Sequence, residues 1–384
     1  MKVALVHDYL REYGGAEKVL ESLHEIWPEA PIFTTIFLPD KLPEHFKTWD
    51  VRTSWLSNLP LLRQLSKLFT FFYPAIFESF DLSGYDVVIS SSSGFAKGVK
   101  VPKPTIHINY CHTPPRFLYH LPSETNRRKV WFLRPILAIF DTFLRVWDFN
   151  TAQKVDFFIA NSQTVKRRIE KFYRRDATVI YPPVEANSLT AYSLQLTAKQ
   201  SAPIKSGSSF ILHPSSFFLV VSRLSAYKNI DVAIEACNRL KLPLKIIGTG
   251  REEARLKKIA GSTIEFLGFV DEQDKWHYLA GCQALIFASS DEDFGIVPVE
   301  AMACGKPVIA LKSGGVKETV VDGKTGVFFK GDRGQSVVDS LVQVLQNFDP
   351  KKFKAEDCQA QAAKFSKDRF KREIEEFASR VIRS

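Results

Sequence analysis

The segment Asp291-Glu292-Asp293-Phe294-Gly295-Ile296-Val297-Pro298-Val299-Glu300-Ala301-Met302-Ala303-Cys304-Gly305-Lys306-Pro307 holds the densest set of groups able to do chemistry. Pro298 suits the first turn of a helix, Gly305 the position just past its end, and Pro307 bars continuation, so a helix of about two turns is expected. Backbone N–H groups around Gly295, Ile296 and Val297 would then point outward and can receive phosphate oxygens. Glu292 and Glu300 stand eight positions apart, a separation suited to two carboxylates gripping different hydroxyl-bearing parts of one ligand, such as two sugars. A second cluster is Ser222-Arg223-Leu224-Ser225-Ala226-Tyr227-Lys228-Asn229. Arg223 and Lys228 flank one loop and can converge on a single diphosphate; taken alone, two exposed surface cations fit equally well. Asp291-Glu292-Asp293 is also a D-x-D triplet, which in other transferases binds a divalent metal. Because Arg223 and Lys228 already offer charge neutralisation, no metal is expected.

Weaker signals add to these. Tyr13-Gly14-Gly15-Ala16 joins a strand to a helix, and Gly14 and Gly15 let a ligand approach the backbone, although a plain tight turn has the same pattern. No G-x-G-x-x-G fingerprint is present, which argues against a nicotinamide dinucleotide enzyme. Tyr110-Cys111-His112-Thr113-Pro114-Pro115-Arg116 ends a strand, so His112 faces either a ligand or a packed polar interior. Leu267-Gly268-Phe269-Val270 ends another, where backbone groups can meet a base, and Lys275 follows as a further phosphate contact.

These loops need elements to position them. Short apolar runs at Lys2–Val6, Val87–Ser90, Ile106–Tyr110, Phe157–Ala160 and Thr178–Tyr181 read as strands, alternating with helical patterns such as 16–26 and 163–172. A second series follows at Phe217–Ser222, Leu244–Ile247, Ile264–Phe266, Ala284–Ala288, Val308–Leu311 and Val327–Phe329. Such alternation predicts two parallel α/β sheets covered on both faces, with ligands beyond the carboxyl ends of the strands, in a cleft between two domains. The expected division is a first domain over 1–185, a linker or flexible insertion over 186–216, a second domain over 217–365 and a terminal helix over 366–384. That helix carries Phe370, Ile374, Phe377 and Ile382 on roughly one face and is expected to return to the first domain.

The chain has 384 residues, 45% hydrophobic and 24% charged, which excludes global disorder and leaves room for two cores. Its net charge is +10, yet the excess is local: 97–175 holds sixteen basic and five acidic residues, a net of +11. Such a stretch attracts phosphate on a nucleic acid, a lipid surface or a small substrate, or else forms a solvated face. No helix-turn-helix, zinc or RNA-recognition signature accompanies it, so no nucleic acid is expected. Basic residues interleave with aromatics in Leu56–Phe80 and Asn126–Phe149, which suits peripheral contact with an anionic membrane as well as it suits a core helix with a solvated face. Five scattered cysteines without a C-x-x-C pair, and no leader-like or spanning apolar segment, point to a reducing, cytoplasmic setting.

Taken together, the Glu-x7-Glu element from Glu292 to Glu300, the Arg223…Lys228 loop and Gly14-Gly15 resemble retaining glycosyltransferases of family 4, which have the GT-B fold. The likeness extends to Ala160-Asn161-Ser162, Tyr181-Pro182-Pro183-Val184 and Gly314-Gly315. His7–Leu20 and Cys111–Arg116 look most like bacterial mannosyltransferases of polysaccharide and O-antigen assembly. The segment Ala186–Ser216 looks inserted relative to the family. The resemblance implies that Arg223 and Lys228 neutralise the leaving nucleoside diphosphate in place of a metal. It implies that Glu300 binds the ribose, that Phe269 and Val270 line the base pocket, and that Glu292 with the backbone of Phe294–Ile296 orients the donor sugar. Gly14-Gly15 would approach the diphosphate and acceptor, and His112 the donor sugar. The implied reaction transfers a hexosyl group, mannose from GDP-mannose by preference, to a saccharide or lipid-linked acceptor, without a cofactor. A UDP- or ADP-sugar transferase, or a non-catalytic sugar-nucleotide-binding relative, are the alternatives.

Overall fold

The computed structural model describes residues 1–54, 72–122, 134–200, 217–331 and 335–383. Its contacts divide into two compact units, 1–183 with 368–384, and 184–367. Both are α/β.

The first unit is built on a parallel sheet whose described strands are β1 (Val3–His7), β2 (Ile32–Thr34), β3 (Val51–Thr53), β4 (Val87–Ser92), β5 (Ile106–Cys111), β6 (Phe157–Ala160) and β7 (Thr178–Val179). They run in the order β3-β2-β1-β4-β5-β6-β7. Every residue of β1 and β4 is buried, because helices cover both faces of a parallel sheet. In register, His7 lies opposite Ser91. The chain therefore reverses direction of growth at β1/β4, which brings the loops after those strands together. The helix Gly15–Ile26 starts where Gly14 is extended, and the Glu17 carboxylate accepts the Gly14 N–H at 3.0 Å. Half of a capping box is thus filled without a side chain at the cap. The helix Gln163–Tyr173 is capped by Ser162, whose Oγ accepts the Val165 N–H at 3.1 Å.

The terminal helix, Lys367–Arg383, lays Phe370, Ile374, Phe377, Ala378 and Val381 into the same core as Val3, Leu5, Leu20 and Ile108. Phe370 meets the Tyr110 ring edge-on, with centroids 5.7 Å apart. Arg369 Nη2 donates to the Tyr181 carbonyl at 2.7 Å, and Lys371 pairs with Glu25 at 2.5 Å.

The second unit repeats the plan with β8 (Phe218–Val221), β9 (Leu244–Ile247), β10 (Ile264–Gly268), β11 (Leu285–Phe287), β12 (Val308–Leu311) and β13 (Gly326–Phe329). Their order is β10-β9-β8-β11-β12-β13, all parallel. One expectation changes here. Instead of a linker, 186–200 forms the helix Ala186–Gln200, which packs on the helices Glu272–Gly281, Ile296–Ala303 and Ala355–Ala363. Ala186 and Leu189 are fully buried, and Thr190 Oγ1 donates to the Ala303 carbonyl at 3.0 Å. Burial of one face decides a segment in which Asn, Ser and Thr are interspersed among good helix formers such as Ala, Leu and Gln. The remainder of the expected insertion, 201–216, lies outside the described residues.

Several cations of the basic stretch are internal struts. Lys97 is buried, pairs with the buried Asp148 and lies 5.1 Å from the Tyr173 ring centre. Arg168 donates to Thr113 Oγ1 at 2.9 Å, and Arg175 to the carbonyls of Ala152 and Asp156 at 2.9 and 3.0 Å. Arg127, Arg128, Lys129, Trp131, Phe132 and most of Leu56–Phe80 lie outside the described residues. The helix Arg134–Lys154 does carry an exposed apolar face, with Ile139 71%, Phe143 54% and Val146 56% exposed. Among the described residues no helix is long and apolar enough to cross a membrane. All five cysteines are buried and unbridged.

The packing of the terminal helix is directly testable. Phe370→Ala is expected to destabilise the protein by about 3–5 kcal/mol, the range for emptying a buried aromatic site, as measured by urea unfolding. A change below about 1 kcal/mol would show that the helix is not part of that core.

Candidate functional site

The helix Ile296–Ala303 begins right after Gly295, which has φ +90°, and ends at Cys304 before Gly305 at φ +73°. The short helix expected from Pro298, Gly305 and Pro307 is therefore present. Phe294 anchors the loop before it, its buried ring 5.4 Å from that of Phe365. Ile296 and Val297 are half-buried at the helix start.

Lys228 sits in a single 3-10 turn, Ala226–Lys228, after β8. Its Nζ donates to Glu292 Oε2 at 2.5 Å, and Ser289 Oγ donates to the same oxygen at 2.7 Å. Burial works to lower the pKa of Lys228, but the Glu292 carboxylate more than offsets it and the net shift is upward; the nearby Arg223 guanidinium opposes that shift weakly. Arg223 itself is exposed. The two loops that carry this pair are sewn together by backbone contacts. Ser290 donates N–H and Oγ–H to the Tyr227 carbonyl, both at 3.1 Å, and Asn229 Nδ2 donates to the Ala288 carbonyl at 3.1 Å.

Glycines brace the same loops from behind. A Cβ on Gly314 would lie 2.3 Å from the Glu292 carbonyl oxygen, and Gly314 has φ +65°. A Cβ on Gly315 would lie 2.4 Å from the Asp293 carbonyl oxygen, and the Gly315 N–H donates to the Glu292 carbonyl at 2.8 Å. Gly248 and Gly250 play the same part behind Arg223, where an added Cβ would strike the carbonyls of Ser222 and Leu224 at 1.9 and 2.3 Å. Gly314-Gly315 belongs to the family likeness, whereas Gly248 and Gly250 were legible only as a G-x-G after β9.

Glu300, 3% exposed, receives Lys275 Nζ at 3.1 Å, and Lys275 also reaches Glu272 at 3.0 Å. Lys275, expected as a phosphate contact, holds the Glu300 carboxylate in this structure. Phe269 is 85% exposed at the end of β10 and Val270 is half-buried beside it. Arg223, Lys228, Phe269, Val270, Lys275, Glu292, Phe294, Gly295, Ile296, Val297 and Glu300 thus all lie in this unit, in loops or first helical turns after β8, β10 and β11. Among the described residues no three His, Cys, Asp or Glu side chains gather as a metal cage.

Gly14, Gly15 and His112 lie in the first unit. His112 follows β5, half-buried, with Nε2 2.8 Å from Ser91 Oγ. Burial, with His7 close by, pushes its pKa down to about 3. The Asp8 carboxylate, after β1, accepts the N–H groups of Ser93, Phe95 and Ala96 at 2.6–2.8 Å and fixes the loop after β4. Asp8, His7, Glu17 and Ser91 escaped the sequence reading, although His7-Asp8 at the end of a buried apolar strand was an available signal.

Two family models match the chain: "Glycosyltransferase Family 4" over residues 13–188 and "Glycosyl transferases group 1" over residues 204–365. The chain is built of glycosyltransferase domains, of family 4 and then of group 1. Among relatives, it is 28% identical to the alpha-1,3/1,6-mannosyltransferase ALG2 of Dictyostelium discoideum, over 56% of this chain and 56% of that protein. It is 25% identical to the O-antigen chain mannosyltransferase C of Escherichia coli, over 60% of this chain and 58% of that one. The chain thus spans little more than half the length of these relatives. Among solved structures, HepE of Anabaena in complex with UDP superposes with a TM-score of 0.69 at 20% identity, covering 99% of this chain and 100% of that one. The fold of this chain is of the GT-B class, two Rossmann-like α/β domains.

Proposed function

We propose that this protein is a retaining glycosyltransferase that moves a hexosyl group, by preference mannose from GDP-mannose, to a glycan or lipid-linked saccharide. The observation that supports this most is the Lys228–Glu292 pair, set beside the exposed Arg223 and the first turn of the helix Ile296–Ala303. An arriving diphosphate replaces one anionic partner of Lys228 with another, so the half-buried ammonium is never left uncompensated. Arg223 adds a planar donor set, and the N–H groups at the helix start add more.

Breaking the anomeric C–O bond places positive charge on the sugar and negative charge on the diphosphate. Fixed cations and N–H groups stabilise the second charge as it develops and need no reorganisation at that moment. In a front-face reaction the leaving phosphate accepts the proton of the incoming hydroxyl. Glu292, displaced from Lys228, becomes available to sugar hydroxyls, and Glu300, oriented by Lys275, to the ribose. Phe269 offers a flat apolar surface to the base. Gly14, Gly15 and His112 serve the sugar and its acceptor. No metal is used. The mannosyl preference rests on the likeness to ALG2 and mannosyltransferase C; a UDP- or ADP-sugar donor is the alternative. The apolar outer face at Ile139, Phe143 and Val146, on the helix that also carries Arg145, supports contact with an anionic membrane at which a lipid-linked acceptor resides.

Three measurements test this. Thermal-shift screening with GDP, UDP, ADP and their sugar conjugates should give the largest stabilisation with GDP-mannose; an equal or larger shift with a UDP-sugar overturns that donor. Lys228→Ala should lower turnover by about 100-fold or more, with EDTA leaving the wild type active. Full activity in the variant removes the diphosphate role, and complete loss in EDTA restores Asp291 and Asp293 as metal ligands. Vesicles containing anionic lipid should bind the protein at low salt and release it as salt rises; no binding at low salt removes the membrane contact.

A further inference from the structure

A buried polar chain crosses the first unit from the Gly14-Gly15 loop to His112. Glu17 Oε2 accepts the Gly14 N–H at 3.0 Å, while Oε1 of the same carboxylate lies 3.6 Å from His7 Nε2. His7 Nδ1 is 3.2 Å from Ser91 Oγ, and Ser91 Oγ is 2.8 Å from His112 Nε2. Glu17, His7 and Ser91 are all buried, so water does not compete for these groups. Register explains the meeting: His7 and Ser91 are direct partners across β1 and β4, and His112 follows the next strand, β5.

The chemistry of the chain gives it a direction. The Glu17 carboxylate, 3.6 Å away and so beyond hydrogen-bond reach, favours a proton on the facing His7 nitrogen by charge attraction. In the neutral imidazole Nδ1 then accepts, and the single Ser91 hydroxyl proton points to it. Ser91 Oγ is left to accept from His112, which places the His112 proton on Nε2 and a lone pair on Nδ1. We infer that Glu17, His7 and Ser91 are positioning residues, which hold His112 as the Nε2–H tautomer with Nδ1 an acceptor for a hydroxyl of the sugar substrate, and which tie that orientation to the Gly14-Gly15 loop through one carboxylate. This rests on the glycosyltransferase reading for the identity of the substrate, and on the geometry alone for the tautomer. The depressed pKa of His112 agrees with it, since the ring stays neutral at pH 7.

Two experiments keep the inference and that reading apart. Ring nitrogen shifts of histidine-labelled protein at pH 7 should show His112 protonated at Nε2, and Ser91→Ala should move it toward a mixture of tautomers. An Nδ1–H ring in the wild type, or a ring unchanged by Ser91→Ala, overturns the inference whatever the enzyme does. With the donor that gives the largest thermal shift, Ser91→Ala should lower kcat about 10- to 100-fold with KM for the donor little changed, and Ser91→Thr, which keeps the hydroxyl, should recover most of it. If His112→Ala abolishes turnover but Ser91→Ala does not, positioning is wrong while the reading stands. If no nucleotide sugar binds or turns over, yet the tautomer behaves as described, the reading fails and the polar chain stands.

Discussion

An ammonium and a carboxylate that come from loops 64 residues apart, Lys228 and Glu292, set the terms for the second unit. Either group alone in that half-buried position would be costly, so each holds the other in place. Their meeting requires the loops after β8 and β11 to lie in contact, which is why carbonyls of Tyr227 and Ala288 are bonded across the gap and why Gly314 and Gly315 stand behind the acidic loop. The short helix at Ile296 is placed by the same loop. What results is a half-buried ion pair whose charges are balanced within the unit itself.

The first unit solves a different problem. Asp8, His7, Ser91 and Glu17 are polar groups buried near the carboxyl ends of β1 and β4, where His7 and Ser91 meet each other, Ser91 also meets His112, and Asp8 and Glu17 accept N–H groups of the loops after those strands. Such satisfaction makes the loops rigid, because moving any one of them leaves a buried group unmet. Lys97 with Asp148 does the same between the loop after β4 and the helix Arg134–Lys154. Arg168 and Arg175, bonded to the Thr113 hydroxyl and to backbone carbonyls, turn part of the +11 excess over 97–175 inward.

Fold class was readable because short apolar runs bounded by turn residues, such as Val308–Leu311 between Pro307 and Gly314, recur between helical patterns. The short strands Ile32–Thr34 and Val51–Thr53 were not, since three residues carry no periodicity. The helix Ala186–Gln200 was misread because its Ser- and Thr-rich sequence is decided by what Ala186 and Leu189 pack against. At the site, motif-bearing loops were legible from composition at strand ends. The partner choices were not: Lys275 turning to Glu300, Lys228 to Glu292 and Ser91 to two histidines depend on distances no single segment encodes.

The central claim is that Lys228 exchanges Glu292 for a diphosphate. Calorimetric titration of GDP against GMP addresses it without any acceptor or turnover. The account predicts that the second phosphate strengthens binding at least tenfold, about 1.4 kcal/mol, and that Lys228→Met abolishes this advantage while leaving GMP affinity nearly unchanged. Equal affinity for the two nucleotides in the wild type, or an undiminished advantage in the variant, would contradict it.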